Sequence, residues 1–304
     1  MQDPFHAGER AIQERVGERD LALLNGRLIA SSIPAGARTF PEKQQYCAFG
    51  WAAPNGDLWA TLLTGRAGFA VSDAAGSIVA FALEDAAEQL RDHPPFNAMR
   101  KGDNVGMLFI ELATRRRLRI NGAVAELAAA RMTVNVREAY PNCPKYIQRR
   151  ESSPSAALLS RVKTRSGSAL TEETRQWIRS ADTFFVASGQ PTGLVDCSHR
   201  GGKPGFTKLV NGDLRIPDYP GNSLYQTFGN LLLNPHAGLV FIDFEDNRQL
   251  QLTGETRLEL EAGEIDGETG GSGRWWVFSP RNWVISPLNV PLAWTAGDQS
   301  PFNP

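Results

Sequence analysis

This sequence is poor in cysteine, in histidine, in surplus charge of either sign and in long apolar runs. Its three cysteines, Cys47, Cys143 and Cys197, are an odd number and widely spaced. That argues against a disulfide framework and makes a reducing cytoplasm the expected compartment. The apolar runs fall well short of the roughly 18 residues that a membrane span requires, so no membrane partner is expected. The opening "MQDPFHAGERAIQERVGERD" is charged and has no apolar h-region, so no secretory signal is expected. With 32 basic against 33 acidic side chains the formal net charge is −1, which gives no global pull toward nucleic acid. His6, His93, His199 and His236 are scattered, and only Cys197 and His199 lie close, too few ligands for zinc. Also missing are G-x-S-x-G, G-x-x-x-x-G-K-[ST] and a G-x-G-x-x-G after a strand, the signatures of serine hydrolase, P-loop and dinucleotide sites.

What is present suits a folded core. The 304 residues are 41% apolar and 21% charged, enough for two ordinary domains or one large one. Residues 3–20 read as a helix, with Asp3 as N-cap, Pro4 at the first helical position and a stripe of Ile12, Val16 and Leu21. Short β-type runs follow: "DLWATLL", "GFAVSD", "SIVAFAL", "VGMLFIEL" and "RLRINGAVAEL". The second half repeats that texture with "TFFVAS", "GFTKLV", "DLRIP", "AGLVFIDF" and "QLQLTGETRLEL". Between the halves, 151–168 is a polar linker with a helical patch, and "TEETRQWIRSAD" reads as a helix opened by Thr171.

The likeness of the halves extends to single positions. "VGMLFIELATRRRLRINGAVAEL" (105–127) lies over "AGLVFIDFEDNRQLQLTGETRLE" (237–259) without a gap. Gly106 meets Gly238, Phe109 meets Phe241, Leu118 meets Leu250 and Gly122 meets Gly254, a constant offset of 132 residues (238 − 106). A strand, turn and strand matched at one offset indicates a duplicated β-unit, and many short strands with few helices suggest a barrel or sandwich.

Against this repeat, "VDCSHRGGKPGF" (195–206) stands out. Aligned on the Gly-Phe pairs, Ser198 faces Thr61, His199 faces Leu62, Arg200 faces Leu63 and Lys203 faces Arg66. His-Arg pairs on strands are commonly solvated, yet ionisable residues in only one copy favour a site there. Ser198 and His199 are adjacent on a strand and point to opposite faces, which speaks against a shared proton. An anion fits better: Arg200 offers a bidentate fork, Lys203 a point charge, and Gly201–Gly202 open backbone amides. Phosphate is the expected guest. A helix over 223–233, capped by Asn222 and stopped by Asn234-Pro235, offers a second anion contact at its N-terminus, though a plain capped connector reads the same way.

These residues carry a resemblance. The runs "DTFFVASGQPTGLVDCSHRGGKPGF", "PDYPGNSLYQTFGNLLLNPHAGLVFIDF" and "QLQLTGE", with "FHAGERAIQ" and "NCPKYIQRR", resemble the pyridoxamine 5'-phosphate oxidase-like, FMN-binding split-barrel family, and more narrowly its tandem bacterial flavin-nucleotide-binding members. The resemblance covers roughly residues 5–260. It implies a mainly β fold with peripheral helices: two tandem FMN-binding split β-barrels forming an intrachain pseudo-dimer. The implied division is an N-terminal helix (1–22), a first barrel (23–150), a linker and helix (151–180) and a second barrel (181–304). FMN would lie at the junction. Ser198, His199, Arg200 and Lys203 would take its phosphate side, Tyr219, Asn222, Gln226 and Thr227 a second phosphate contact, and Gln249 the flavin ring. Lys145, Tyr146, Gln148 and Arg149 would reach across from the first copy. The implied activity is oxidoreduction of a small-molecule substrate, with NADH or NADPH as a candidate donor and a homodimer as a candidate assembly. FMN would carry the redox step, and Lys145 or Gln249 near the ring would stabilise its reduced form. A flavin carrier without catalysis and a haem-utilisation type barrel, with histidine on iron, remain alternatives.

Three other features read as structural. "TRRRLR" (114–119) is taken as a solvated hairpin turn, Trp275, Trp276, Trp283 and Trp294 as packing for a late strand, and Cys143 as a small hydrophobe. His199 is expected to stay neutral beside Arg200.

Overall fold

The computed structural model describes residues 3–83, 98–128, 130–155, 163–263, 267–288 and 290–304; His93 and part of the expected helical patch in 151–168 lie outside them. The first unit is a seven-stranded antiparallel sheet of β1 (Tyr46–Ala52), β2 (Leu58–Thr64), β3 (Ala70–Ser72), β4 (Ile78–Ala82), β5 (Asn104–Glu111), β6 (Arg116–Ala128) and β7 (Arg131–Pro141). Its strand order is β2-β1-β5-β6-β7-β4-β3. After β8 (Arg150–Pro154) and β9 (Arg165–Gly167) come β10 (Thr183–Gly189), β11 (Val195–Gly201), β12 (Lys208–Val210), β13 (Asp213–Pro217), β14 (His236–Asp243), β15 (Arg248–Glu259) and β16 (Trp275–Pro287). Their order is β11-β10-β14-β15-β16-β13-β12, the same path with every strand replaced by its counterpart. The fold is thus mostly β, and it repeats.

The registers repeat too. Gly106 pairs with Asn121 in β5–β6 and Gly238 with Thr253 in β14–β15, and both long strands slip register at the matched glycines Gly122 and Gly254. β2 and β11 are buried along most of their length, although each ends its sheet, because each is covered by the other unit. The contact is isologous: an ideal Cβ on Gly106 would sit 2.5 Å from the Asp196 carbonyl carbon, and one on Gly238 2.5 Å from the Trp59 Cα. Only glycine admits backbones this close. Leu62, Leu108, Phe185 and Val240 fill the space between the units, apart from a separate core within each.

The chain ends tie the units further. β17 (Leu292–Ala296) pairs with β8 across the whole length between them, and β9 pairs with β16. The N-terminus forms two short helices, α1 (Ala7–Arg15) and α2 (Arg19–Gly26), where the sequence suggests one over 3–20. Gly17 at φ 72° breaks the path, and His6 caps α1 instead of Asp3, its Nδ1 accepting from Gly8 while Glu9 accepts from the His6 amide. α3 (Glu172–Ser180) is capped by Thr171 as expected. α4 (Gln226–Leu233) starts three residues later than the expected 223, because Ser223 and Tyr225 take left-handed φ of 61° and 60°. Among the described residues no helix is long and apolar enough to cross a membrane.

Candidate functional site

The residues of "VDCSHRGG" line a cleft where β11 meets β6 of the first unit, roofed by the loop before α4. Its enclosed volume is about 110 Å³, inside a mouth open to solvent. The strand's alternation sends Asp196 and Ser198 toward β6, where Arg119 takes both. Its Nη1 lies 3.0 Å from Asp196 Oδ2, and its Nη2 donates to Ser198 Oγ at 2.6 Å. The Ser198 hydroxyl also bonds Thr227 Oγ1 at 2.9 Å, which ties α4 to the strand. Burial alone would lower the Arg119 pKa, but Asp196 and Tyr140 reverse that and raise it, so its charge is secure.

The remaining positive charge, nearer the mouth, is less well matched. Arg200 is part-buried and makes only a long 3.4 Å bond to the His199 carbonyl, while its Nε is sealed from solvent with no partner. Arg117 Nε donates to the Cys143 carbonyl at 2.7 Å, and burial lowers its pKa to about 10. Lys145 adds a cation at the rim, over the Phe302 ring at 5.6 Å. The carboxylates nearby are committed: Asp196 to Arg119 and Asp218 to Arg274 at 3.0 Å. His199 is pushed well below the usual histidine range, first by burial and then by Arg117 and Arg200, so its imidazole is neutral. The neighbouring charge is thus a smaller cause than desolvation. Its ring meets Phe185 edge-on at 5.6 Å, and Nε2 has no partner.

The mouth is framed by Tyr146 from the first unit and Tyr219 from the second, ring centroids 4.8 Å apart, with the Tyr146 hydroxyl donating to the Pro220 carbonyl at 2.9 Å. Asn222, Gln226 and Thr227 complete the wall, with the Gln226 Nε2 donor buried and unpartnered, as is Arg200 Nε; Asn142 Oδ1 is an unmet acceptor. Unmatched cations and free donors in one cleft fit an anion with several acceptor oxygens.

The structure therefore gathers Ser198, His199, Arg200, Tyr219, Asn222, Gln226, Thr227, Lys145 and Tyr146 around one cleft. Four expected contacts lie elsewhere. Lys203 is exposed in the turn beyond β11, its carbonyl accepting from the Phe206 amide. Gln148 is turned to the C-terminal tail, accepting from the Ser300 amide at 2.8 Å, and Arg149 is held by the Ala113 carbonyl and Asp298. Gln249 sits at the opposite junction, where its Oε1 accepts from the Leu62 amide at 2.8 Å and Thr61 Oγ1 at 3.1 Å.

Gln249 and Arg117 occupy the same repeat position, as do Gln251 and Arg119. The structure has two junctions related by the repeat, and they differ. In one, Arg119 binds Asp196 and Ser198 of β11 while Arg117 turns away to the Cys143 carbonyl, and a cleft remains; in the other, Gln249 and Gln251 bond directly to β2, Gln251 Nε2 reaching the Ala60 carbonyl at 2.8 Å. Arg117 and Arg119 were hidden in "TRRRLR", which is only in part a solvated turn: Arg116 pairs with Glu111, but alternate residues of the strand face the cleft. The repeat map contained the signal, since it sets Arg117 opposite Gln249. The tryptophans do pack: Trp276 and Trp283 belong to the second core, and Trp294 contacts Tyr46 and Phe244.

No protein-family model and no curated protein matches the sequence. Solved structures do match, each over about two-fifths of this chain and nearly all of its own. A haem storage protein from Vibrio cholerae is 14% identical over 40% of this chain and 97% of its own, with a TM-score of 0.29. A Lactobacillus delbrueckii protein with a proposed assignment as pyridoxamine 5'-phosphate oxidase is 13% identical over 39% and 94%, TM-score 0.31. An FMN-binding protein from Syntrophomonas wolfei is 8% identical over 43% and 96%, TM-score 0.28.

Proposed function

We propose that this chain is a flavoprotein that holds FMN by its phosphate in the β11–β6 cleft and acts as an oxidoreductase on a small molecule, with NADH or NADPH as electron donor. The observation that carries this reading is the unmatched charge of Arg200, whose sealed Nε has no partner beside a second part-buried arginine. A part-buried guanidinium with a single long hydrogen bond is under-satisfied, and a phosphate supplies several acceptors to it. The enclosed 110 Å³ suits a phosphoryl group, which leaves the remainder of the nucleotide to the open mouth.

The resemblance of the β11 and α4 segments to FMN-binding split barrels selects FMN among phosphorylated guests. When bound, FMN supplies the redox chemistry. The protein's part is positional: Arg200 and Arg117 hold the phosphate charge, and Gln226 and Asn222 offer further polar contacts. The Tyr146–Tyr219 pair shields the entrance from water. Arg119 is engaged by Asp196 and Ser198, so it holds the two units in register around the ligand.

A visible spectrum of the purified protein tests the reading. Bands in the near-ultraviolet and blue, or their appearance on FMN titration, are expected; a protein that neither carries nor takes up FMN would rule it out. The same spectrum would show haem as a Soret band, but His199 Nε2 is sealed inside the protein and is not presented to a haem iron. Anaerobic addition of NADH or NADPH then separates reductase from carrier, since only a reductase bleaches.

A further inference from the structure

A second cavity, of about 360 Å³, lies on the other side of the Arg119–Asp196 pair, Arg119 lining the cleft and Asp196 the cavity, with Gln226 common to both. The α1 segment forms one of its walls, and the FMN reading does not use that segment. Its polar side holds unmet acceptors around Asp196 and Asn121, and two unmet donors, His6 Nε2 and Gln226 Nε2, toward α1 and α4. Asn121, only 2% exposed, gives its Nδ2 to Glu138 Oε1 at 2.7 Å. The carboxylate fixes which end of that amide is nitrogen, so Oδ1 is the free end, and it has no partner. Asp196, 4% exposed, gives Oδ2 to Arg119 and leaves Oδ1 unpartnered. The opposite wall is apolar: Phe5, Ile29 and Val195. Arg137 is the one ionised cation of the lining, and it is engaged with Asn104 Oδ1 at 3.3 Å.

We infer that this cavity is a second ligand site, for a small organic molecule with an apolar body and an amine or amidine head. The head donates to Asp196 Oδ1 and Asn121 Oδ1, next to the Glu138 carboxylate, and the body lies on Phe5, Ile29 and Val195. An anionic or donor-poor guest would leave both buried acceptors unmet, and an anion would also bring its charge against the Asp196 and Glu138 carboxylates. Glu9, also in the lining, is raised to about 8 by burial, as expected of a carboxyl facing a chamber that lacks its cation. The assignment stands on this cavity's own atoms and holds whatever the neighbouring cleft binds. If that cleft holds FMN, the amine is placed beside it as a reaction partner.

The test uses three isosteric probes on the full chain by calorimetry: benzamidine, benzamide and benzoate. Benzamidine is expected to bind at least tenfold more tightly than benzoate, with benzamide between them. Glu138→Gln and Asn121→Leu should each weaken benzamidine about tenfold while leaving FMN affinity within twofold. Glu138→Gln is the variant least able to disturb folding, as Glu138 is only half-buried. Equal binding of benzoate, or benzamidine affinity unchanged in both variants, would overturn the assignment. So would competition between FMN and benzamidine, which would make the cavity part of the nucleotide's own site. Failure of FMN to bind at all, with benzamidine binding intact, would leave this site standing and remove only the flavin reading.

Discussion

A part-buried guanidinium with few hydrogen-bond partners is poorly compensated for its lost hydration, and Arg200 is in that position: burial lowers its pKa, only partly offset by Asp218 and Asp196, and Nε has no partner. On the proposed reading, the phosphate of FMN completes it. Truncation should therefore cost binding more than folding. Arg200→Ala is expected to weaken FMN by about 10–100-fold, the worth of one charge-assisted hydrogen bond. Lys203→Ala, exposed beyond the strand, should change affinity less than about threefold. Flavin fluorescence titration of the two variants distinguishes them, and equal losses would place the phosphate nearer the turn.

At the scale of elements, α1 behaves as a latch set by two opposed titrations. His6 caps it through an unprotonated Nδ1, and burial lowers the His6 pKa below 6.5, so this cap stabilises above that pH and is lost as pH falls. Glu9 is raised from 4.5 to about 8 by burial, so the folded state holds a proton that the unfolded state has released. Stability from this group is whole below about pH 4.5 and declines as pH rises to 8. Glu9→Gln retains the acceptor for the His6 amide and removes the titration. The variant should lose less stability than the parent between pH 6 and 8.5, by on the order of 2 kcal/mol, in urea unfolding at each pH. Identical pH profiles would show that Glu9 is ionised in the fold.

For the whole molecule, two like units meet about an approximate twofold, but only one junction is open. Gln249 and Gln251 close the other onto β2. The expected stoichiometry is one FMN per chain, where two equivalent junctions would take two; cofactor-to-protein ratio from absorbance after denaturation measures it. The interface itself depends on backbone contact at Gly106 and Gly238. Gly238→Ala puts a methyl against the Trp59 backbone and should cost at least about 2 kcal/mol, read from the urea midpoint. A neutral outcome would mean that the units can slide.

Much was legible without coordinates. Alternation and glycine turns located the strands around Val105–Leu112 and Leu239–Phe244, and the 132-residue offset from Gly106 to Gly238 pointed to a duplicated β-unit, while the shared strand order came from the structure. The excess of ionisable side chains at 198–200 marked the open junction. Local sequence determines such features because strand periodicity, turn geometry and repetition are properties of neighbouring residues. Arg119 and Ser198 touch across 79 positions, and Asn121 lines a cavity whose other wall is the N-terminal helix. Gln249 and Arg117 share a repeat position, yet one plugs a junction and the other borders a cleft. Only the packing of one unit on the other decides that, since hydrogen-bond satisfaction across an interface depends on what the opposite strand presents.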